Sequence, residues 1–522
     1  MPQRGKTFTE SIRDQRGRNQ FNFPYCSVAT AYVSKVSVDT TVLAANTSQE
    51  AVAMDQHYEE EKATLSTSYF LVTGANSGLG FSICCRLIDE FLFTKPQSER
   101  LCIIVTTRDA RKGNDTLDRL SKHLRRTTRS AEGSLKGVAF LLESRVTFRS
   151  EILDLNSLLS VQALSKKLLE TTPRLDGVIL NAGFGGWTGI NWFEATWTIL
   201  TDWVQATTWP TYKVSGYGWV TKPQLPSTAS GRTEQGKKPI ETGAAEPQLG
   251  EVFCSNVFGH YLLCHNLLPL LKAPLLPHPG RIIWVSSLEA YGHTLQADDI
   301  QGMRSLMPYE TSKRLTDVLS LTSTLPCTAT WVDQYLDSKP ERSSKSIQPD
   351  NDDVSNEATH SRPRMYVSHP GIVATAIFPL PYILWLCMTG VFYMSRWLGS
   401  PWHTVKSYTA ACAMVWLALA PQERLDNMEH NDGPGKWGTA TDAFGRERVS
   451  RTDVDGWGYG GVPGEVSGLG PERIKGRRRG AKDLTPEMRQ EFEDLGRSCW
   501  KEMEDLRLDW EKRLASVKPT DA

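Results

Sequence analysis

The run Pro308-Tyr309-Glu310-Thr311-Ser312-Lys313 sets a phenol and an ammonium four residues apart, so on a helix Tyr309 and Lys313 share one face, one turn apart. A lysine beside a phenol favours the phenolate and draws the phenol below its ordinary pKa of about 10. Such a tyrosine can give a proton to a carbonyl oxygen while a hydride reaches the carbon. The same spacing also occurs on ordinary solvated helix faces, so a second group of residues is needed to define a reaction. That group is Thr73-Gly74-Ala75-Asn76-Ser77-Gly78-Leu79-Gly80, placed between an apolar run and a helical pattern. Gly74 permits a tight turn, Gly78 lets the backbone approach a pyrophosphate, and Gly80 lets helix pack on strand. The unpaired N–H groups that open the following helix then face the phosphate.

The choice of dinucleotide is read where the second apolar run, Leu101-Cys102-Ile103-Ile104-Val105, closes on Thr106-Thr107-Arg108. A carboxylate there would bind a ribose 2′-hydroxyl. Instead Arg108 stands first, with Asp109 after it, and its planar fork can grip a 2′-phosphate. NADPH is therefore expected rather than NADH.

Positioning these residues takes strands that alternate with helices. Runs at Tyr69–Val72, Leu101–Val105, Glu151–Asp154, Gly177–Leu180, Arg281–Val285 and Arg364–Val367 read as strands, and the last leads into His369-Pro370-Gly371. Helical segments separate them, which predicts an α/β fold: a doubly wound, Rossmann-type parallel sheet with helices on both faces. This domain is expected over 67–428, interrupted by insertions at about 187–250 and 337–363. Residues 1–66 are polar, without a lasting period, and read as a mobile extension. Residues 429–522 read as a Gly-rich segment, a basic run from Arg473 to Arg479, and an amphipathic helix opening at Thr485-Pro486. Lys+Arg and Asp+Glu balance at 59 each, so no global field would draw nucleic acid. The ten cysteines show no CxxC pair or Cys/His ladder, which excludes a motif-encoded metal site or disulfide framework. Free thiols suit a reducing compartment, and no secretory signal pattern opens the chain.

The spacing Thr-Gly-x-x-x-Gly-x-Gly is followed in order by Asn181-Ala182-Gly183, Asn256-Val257-Phe258-Gly259, Ser286-Ser287, Tyr309 to Lys313, and Pro370-Gly371 with Thr375. Over residues 69–420 this set resembles the short-chain dehydrogenase/reductase family. The resemblance implies roles residue by residue. Tyr309 would donate the proton, Lys313 would contact the nicotinamide ribose, Ser287 would hydrogen-bond the substrate carbonyl, and Asn256 would hold a water in the relay to Lys313. Thr73, Gly74, Asn76, Ser77, Gly78, Leu79 and Gly80 would bind the nucleotide, with Arg108, Asp154 near the adenine, Asn181, Ala182, Gly183, Pro370, Gly371 and Thr375. Ser286 reads as a structural neighbour, and His260 and His265 as packing or surface residues. The stretch from Ser287 to Tyr309 is longer than is usual in that family, so residues 292–305 are expected to form a loop or flap at the substrate mouth.

Ala376–Ser395 carries no charge and includes Phe378, Tyr382, Ile383, Trp385 and Phe392. It suits a large apolar substrate, as a pocket wall or as a membrane surface. About twenty uncharged residues could span a bilayer, while Pro379, Pro381 and Arg396 fit a shallow monotopic insertion equally well. The runs Gly189–Pro210, Glu251–Tyr261, Pro308–Asp317 and Lys436–Asp442 are similar to fungal reductases that act on sterol 3-ketones during C-4 demethylation. That similarity implies reduction of a sterol 3-ketone to the 3β-alcohol, beside the methyl oxidase and decarboxylase of the pathway, at the endoplasmic reticulum membrane or a lipid droplet. Two other readings stand beside it. One is reduction of another lipophilic carbonyl, such as a retinoid or secondary metabolite. The other is a non-enzymatic scaffold for sterol enzymes, which has no chemical need for Tyr309, Lys313, Ser287 and Asn256 together.

Overall fold

The computed structural model describes residues 66–132, 138–225, 246–273, 278–337, 362–375, 381–464 and 475–516. The expected N-terminal extension, most of the expected 337–363 loop, the polar part of the first insertion (226–245) and the start of the 376–395 segment lie outside the described residues.

In chain order the strands are β1 (Thr67–Val72), β2 (Arg100–Thr107), β3 (Val146–Ile152), β4 (Gly177–Leu180), β5 (Trp187–Ile190), β6 (Lys213–Ser215), β7 (Arg281–Val285), β8 (Arg364–His369), β9 (Lys436–Thr441) and β10 (Glu447–Thr452). The helices that matter below are α1 (Gly78–Thr94), α2 (Ala110–Glu132), α3 (Leu158–Thr171), α4 (Trp192–Thr201), α5 (Trp203–Thr208), α6 (Gly259–Asn266), α7 (Pro308–Thr322), α8 (Tyr382–Trp397), α9 (Cys412–Leu419) and α10 (Pro486–Ala515). Eight strands form one sheet in the order β10-β9-β8-β7-β4-β1-β2-β3. All pairings are parallel except β10 on β9 at the edge. This is the expected doubly wound sheet. Its order reverses between β1 and β4, and ligands of such sheets bind outside the strand ends at that switch point. The Gly74 turn follows β1 and Asn181 follows β4, so the motif residues converge there.

Both faces are covered, which explains why β4 and β7 are buried at every residue rather than alternating. The period of two survives in which core each residue joins. Leu71, Ile282 and Trp284 pack into one cluster with α3, α6 and α7, while Phe70, Val72, Ile283 and Val285 pack into the other with α1 and α9.

Part of the architecture comes from the segment that reads as a Gly-rich tail. β9 and β10 lie in 429–522 and complete the sheet. The sequence hides β9 because Lys436-Trp437-Gly438-Thr439-Ala440-Thr441 is buried throughout yet short of aliphatic residues. Gly438 is there for space: a Cβ would run into the His369 ring of the neighbouring strand. Helix α10 begins as expected, with the Thr485 side chain accepting the Met488 N–H at 3.2 Å and Pro486 following. It docks on α7. Gly496 allows the approach, since a Cβ would meet Thr322 Cγ2 at 2.6 Å, and Trp500 Nε1 donates to Thr322 Oγ1 at 3.2 Å. With the sheet on one side and α10 on the other, all of α7 is buried. The helix carrying Tyr309 and Lys313 is thus held from both sides.

Candidate active site

Residues 74–80 form a turn that demands glycine. Gly74 and Gly78 hold φ of +66° and +55°, conformations that side chains strain. A Cβ at Gly74 would lie 2.9 Å from Ala182 Cα, and one at Gly80 would overlap the Gly74 carbonyl and lie 2.5 Å from Asn181 Nδ2. Thr73 ties the loop to the β4 end: its hydroxyl accepts the N–H groups of Asn181 and Ala182 at 2.9 and 3.0 Å. Asn181 Nδ2 returns a bond to the Thr73 carbonyl at 3.0 Å. Ser77 caps α1 without a side-chain hydrogen bond, and the first turn carries no acidic residue. This helix start fits the phosphates of a dinucleotide. Thr375 lies beside Gly78, and Gly371, with φ of +74°, packs against Trp402, Thr404 and Thr439.

Arg108 is exposed and has no hydrogen-bonding or ionic partner among the described residues. Asp109 is occupied, accepting the Lys112 N–H at 2.8 Å and pairing with its ammonium at 3.3 Å. A cation that the sequence reading passed over, Arg119 of α2, donates to the Asn76 carbonyl at 2.8 Å and lies over the Phe81 ring. Asp154 opens the next connection, its carboxylate accepting the Asn156 N–H at 3.1 Å.

The catalytic candidates gather at the carboxyl end of β7. The two serines face different partners. Ser286 Oγ donates to Asp317 Oδ1 at 2.6 Å, whereas Ser287 Oγ accepts the Glu289 N–H at 3.2 Å and lies near enough to the Tyr309 phenol to favour its ionised form. Lys313 Nζ donates to the Val285 carbonyl at 2.8 Å and lies 5.6 Å from the Tyr309 ring centre. Asn256 sits in a π-helical turn, Cys254–Phe258, a distortion that often marks functional positions. Its amide accepts the Phe184 N–H at 2.7 Å and donates to Ser312 Oγ at 2.9 Å. A Cβ on Gly183 would meet Asn256 Oδ1 at 3.3 Å and Lys313 Nζ at 3.9 Å, so the three are adjacent. His260 bridges the halves, one ring nitrogen 2.9 Å from Thr73 Oγ1 and the other 3.2 Å from the Asn256 carbonyl. Burial holds its pKa down to about 3, so it stays neutral.

The electrostatics correct one expectation. Burial brings Lys313 down to about 8, with Lys436 adding to the effect and Asp317 opposing it. The phenol is not drawn down: burial first, then the carboxylate of Glu289, push Tyr309 well above its ordinary value. The sequence reading considered only the lysine on the same helix. It missed the groups that other elements bring, namely Glu289, Lys213 and Trp187 around the phenol and the Asp317–Lys436 pair behind it. Lys436 Nζ donates at 2.6 Å to both Asp317 Oδ2 and the Ser287 carbonyl.

Residues 292–305 form the expected loop, and it is pinned rather than free. Leu295 and Ile300 join the core, the Thr294 carbonyl accepts from Thr311 Oγ1 of α7 at 3.0 Å, and Gly292 N–H donates to Asp455 at 3.0 Å. Of α8 only Ser395 and Arg396 are buried, and Tyr382, Ile383, Leu386 and Trp397 are exposed.

No protein-family model matches the chain. It is 49% identical over 456 residues to the 3-keto-steroid reductase erg27 of Aspergillus fumigatus, covering 85% of this chain and 94% of that protein. The 3-keto-steroid reductase ERG27 of Gibberella zeae is 38% identical over 481 residues, 86% and 95% of the two chains. That of Schizosaccharomyces pombe is 31% identical over 394 residues, 74% and 90%.

Proposed function

The chain belongs to the 3-keto-steroid reductases, a branch of the short-chain dehydrogenases/reductases, and from that premise we propose that it reduces the 3-ketone of a sterol C-4 demethylation intermediate to the 3β-alcohol with NADPH. The observation that carries this is the gathering of Ser287, Tyr309, Lys313 and Asn256: Ser287 acts on the Tyr309 phenol, Lys313 Nζ lies 5.6 Å from its ring centre, and Lys313 and Asn256 both border Gly183.

A bound nicotinamide supplies the hydride. The Gly74–Gly80 turn and the α1 start would hold its phosphates, Asn181 to Gly183 and Pro370 to Thr375 would border it, and Arg108 would be the group for a 2′-phosphate. The protein's own part is the proton. Ser287 orients the ketone oxygen, and Tyr309 Oη gives it a hydrogen as negative charge develops there. Lys313, buried and brought down to about 8, remains mostly protonated at physiological pH and can pass a proton back toward the phenol, with Asn256 fixing the neighbouring backbone. Trp187, whose ring centre lies 4.6 Å from that of Tyr309, walls the site with an apolar face suited to a sterol ring.

A sterol ketone lives in lipid, and the enzyme is placed at its surface. Along α8, Tyr382 and Ile383 are 72% and 74% exposed and Trp397 69%; on α4, Phe193 and Leu200 are 85% and 76% exposed. The helices are joined through α5, where Trp203 Nε1 donates to Ser395 Oγ at 2.9 Å. An exposed apolar face of this kind supports docking into a membrane or lipid-droplet surface. No helix of the described residues is long and apolar enough to cross a membrane. The location is the endoplasmic reticulum or lipid droplet, the active site faces the cytosol, and other enzymes of sterol C-4 demethylation are the partners.

The test is product analysis. Purified protein with a 4-methyl sterol 3-ketone and NADPH should yield the 3β-alcohol, with NADH a poorer donor. Preferential turnover of retinal would favour the other lipophilic-carbonyl reading, and no turnover of either would favour the scaffold.

A further inference from the structure

The insertion after β4 carries a hairpin that is no part of the main sheet. Among the described residues β5 and β6 pair only with each other, and neither strand holds a fully buried residue. Asn191 N–H donates to the Tyr212 carbonyl at 2.8 Å and Gly216 N–H to the Gly186 carbonyl at 3.0 Å, so the hairpin closes on itself. It nevertheless lies over the reacting group. The Trp187 ring centre is 4.6 Å from that of Tyr309, and the indole rests on Gly185, where a Cβ would come within 2.4 Å of it. Tyr309 is only 8% exposed. A fused-ring ketone cannot approach the phenol through the face that Trp187 covers. What fastens this cover is polar: Lys213 Nζ grips both oxygens of Glu289 at 2.6 and 2.5 Å, and lies 4.1 Å from the Trp187 ring centre.

We propose that the β5–β6 hairpin is a lid over Tyr309, latched by Lys213 on Glu289, that opens when the apolar face of α4 and α8 enters a lipid surface. This rests on the ketone-reductase and surface-docking readings above. The lid and the apolar face are one stretch of chain. β5 runs directly into α4, which bears the exposed Phe193 and Leu200. The return to β6 passes through α5, where Trp203 Nε1 and Thr207 Oγ1 each lie 2.9 Å from Ser395 Oγ of α8. Gly186 and Gly218, with φ of +66° and +68°, flank the hairpin and can take up the change in backbone torsions. Lifting strands without buried residues uncovers little core, so the ion pair and the contact of Trp187 with Tyr309 set the closed state. Opening in water would expose the indole and the phenol ring, whereas at a lipid surface the same apolar area meets hydrocarbon. The substrate admitted is then a ketone dissolved in lipid, which enters beneath the hairpin without crossing water.

The experiment follows reduction of cyclohexanone, a water-soluble ketone, by the full chain with NADPH, in buffer and with phosphatidylcholine vesicles. Wild type should speed up about three- to tenfold on vesicle addition, and amide hydrogen exchange over residues 186–216 should rise with it. Lys213→Met/Glu289→Gln removes both charges of the latch and leaves none unpaired. It should run about three- to tenfold faster than wild type in buffer and gain little from vesicles. Lys213→Arg keeps the latch and should follow wild type. Phe193→Ser/Leu200→Ser should bring the vesicle-to-buffer ratio down to about one. Exchange over 186–216 that vesicle binding leaves unchanged, or a folded latch variant no faster than wild type in buffer, overturns the lid. A wild type that reduces no ketone instead overturns the reading beneath it.

Discussion

Lys436→Met tests whether the last parallel strand serves the catalytic serine. Lys436 and Asp317 form an ion pair at 2.6 Å, with side chains 3% and 0% exposed. Burial pushes the ammonium below its usual range while Asp317 pulls it up, so the charge depends on this partner. Methionine fills a similar volume, and the loss is electrostatic: Asp317, itself buried, keeps only the Ser286 hydroxyl. Leaving one member of a buried pair uncompensated costs about 3–5 kcal/mol, a large share of a total stability of roughly 5–15 kcal/mol. The Ser287 carbonyl also loses its donor, so kcat should fall more than KM rises. Urea unfolding of the full chain reads the first effect and steady-state reduction the second. Lys436→Met/Asp317→Leu removes both charges and should recover most of the stability but not the full rate. A single variant as stable as wild type, or a double variant no better than the single, would refute the argument.

Further perturbations probe separate parts of the structure. Gly80→Ala should weaken NADPH binding at least about tenfold, because the methyl group overlaps the Gly74 carbonyl; an unchanged Kd by fluorescence titration contradicts the cradle. His123 lies 3.0 Å from Asp89, and although burial opposes its charge, that hydrogen bond raises it to about 10. Its folded pKa is above the unfolded value, so its contribution, roughly 1–2 kcal/mol after screening, is complete below about pH 6.5 and lost as pH rises through about 10. His123→Gln should therefore destabilise at pH 6 and approach wild type above pH 10; a deficit independent of pH contradicts the pair. Changing Ile383, Leu386 and Trp397 to Ser or Gln should abolish flotation with lipid vesicles while sparing a water-soluble ketone. A wild type that does not float removes the docking face.

The fold was legible where burial on both faces produces unbroken apolar runs. Gly177–Leu180 and Arg281–Val285 appear as strands with the bounds read from sequence. It was illegible at β9, where packing uses Lys436, Gly438 and two threonines against His369 and Asp317, so no hydrophobic period exists to find. Within the site, glycine spacing and the Tyr309/Lys313 helical interval locate the reacting groups because those contacts are local. Lys213 and Glu289 are 76 residues apart and meet only through an insertion whose β5 and β6 are three or four residues long. Nothing in local spacing announces such a pair. The same limit misled the expectation for the phenol, since the lysine on its helix is visible in sequence while its burial, and after that the carboxylate across the site, are not.

The most direct test of the account is single-turnover reduction of a sterol 3-ketone by Tyr309→Phe with NADPH binding measured on the same sample. If the hydroxyl is the proton donor, and since the ring still packs on Trp187, the variant should bind NADPH as wild type does and lose reduction by at least about a thousandfold. Substantial turnover by a folded, nucleotide-binding Phe variant would contradict the assignment of Tyr309 as the acid and the mechanism built on it.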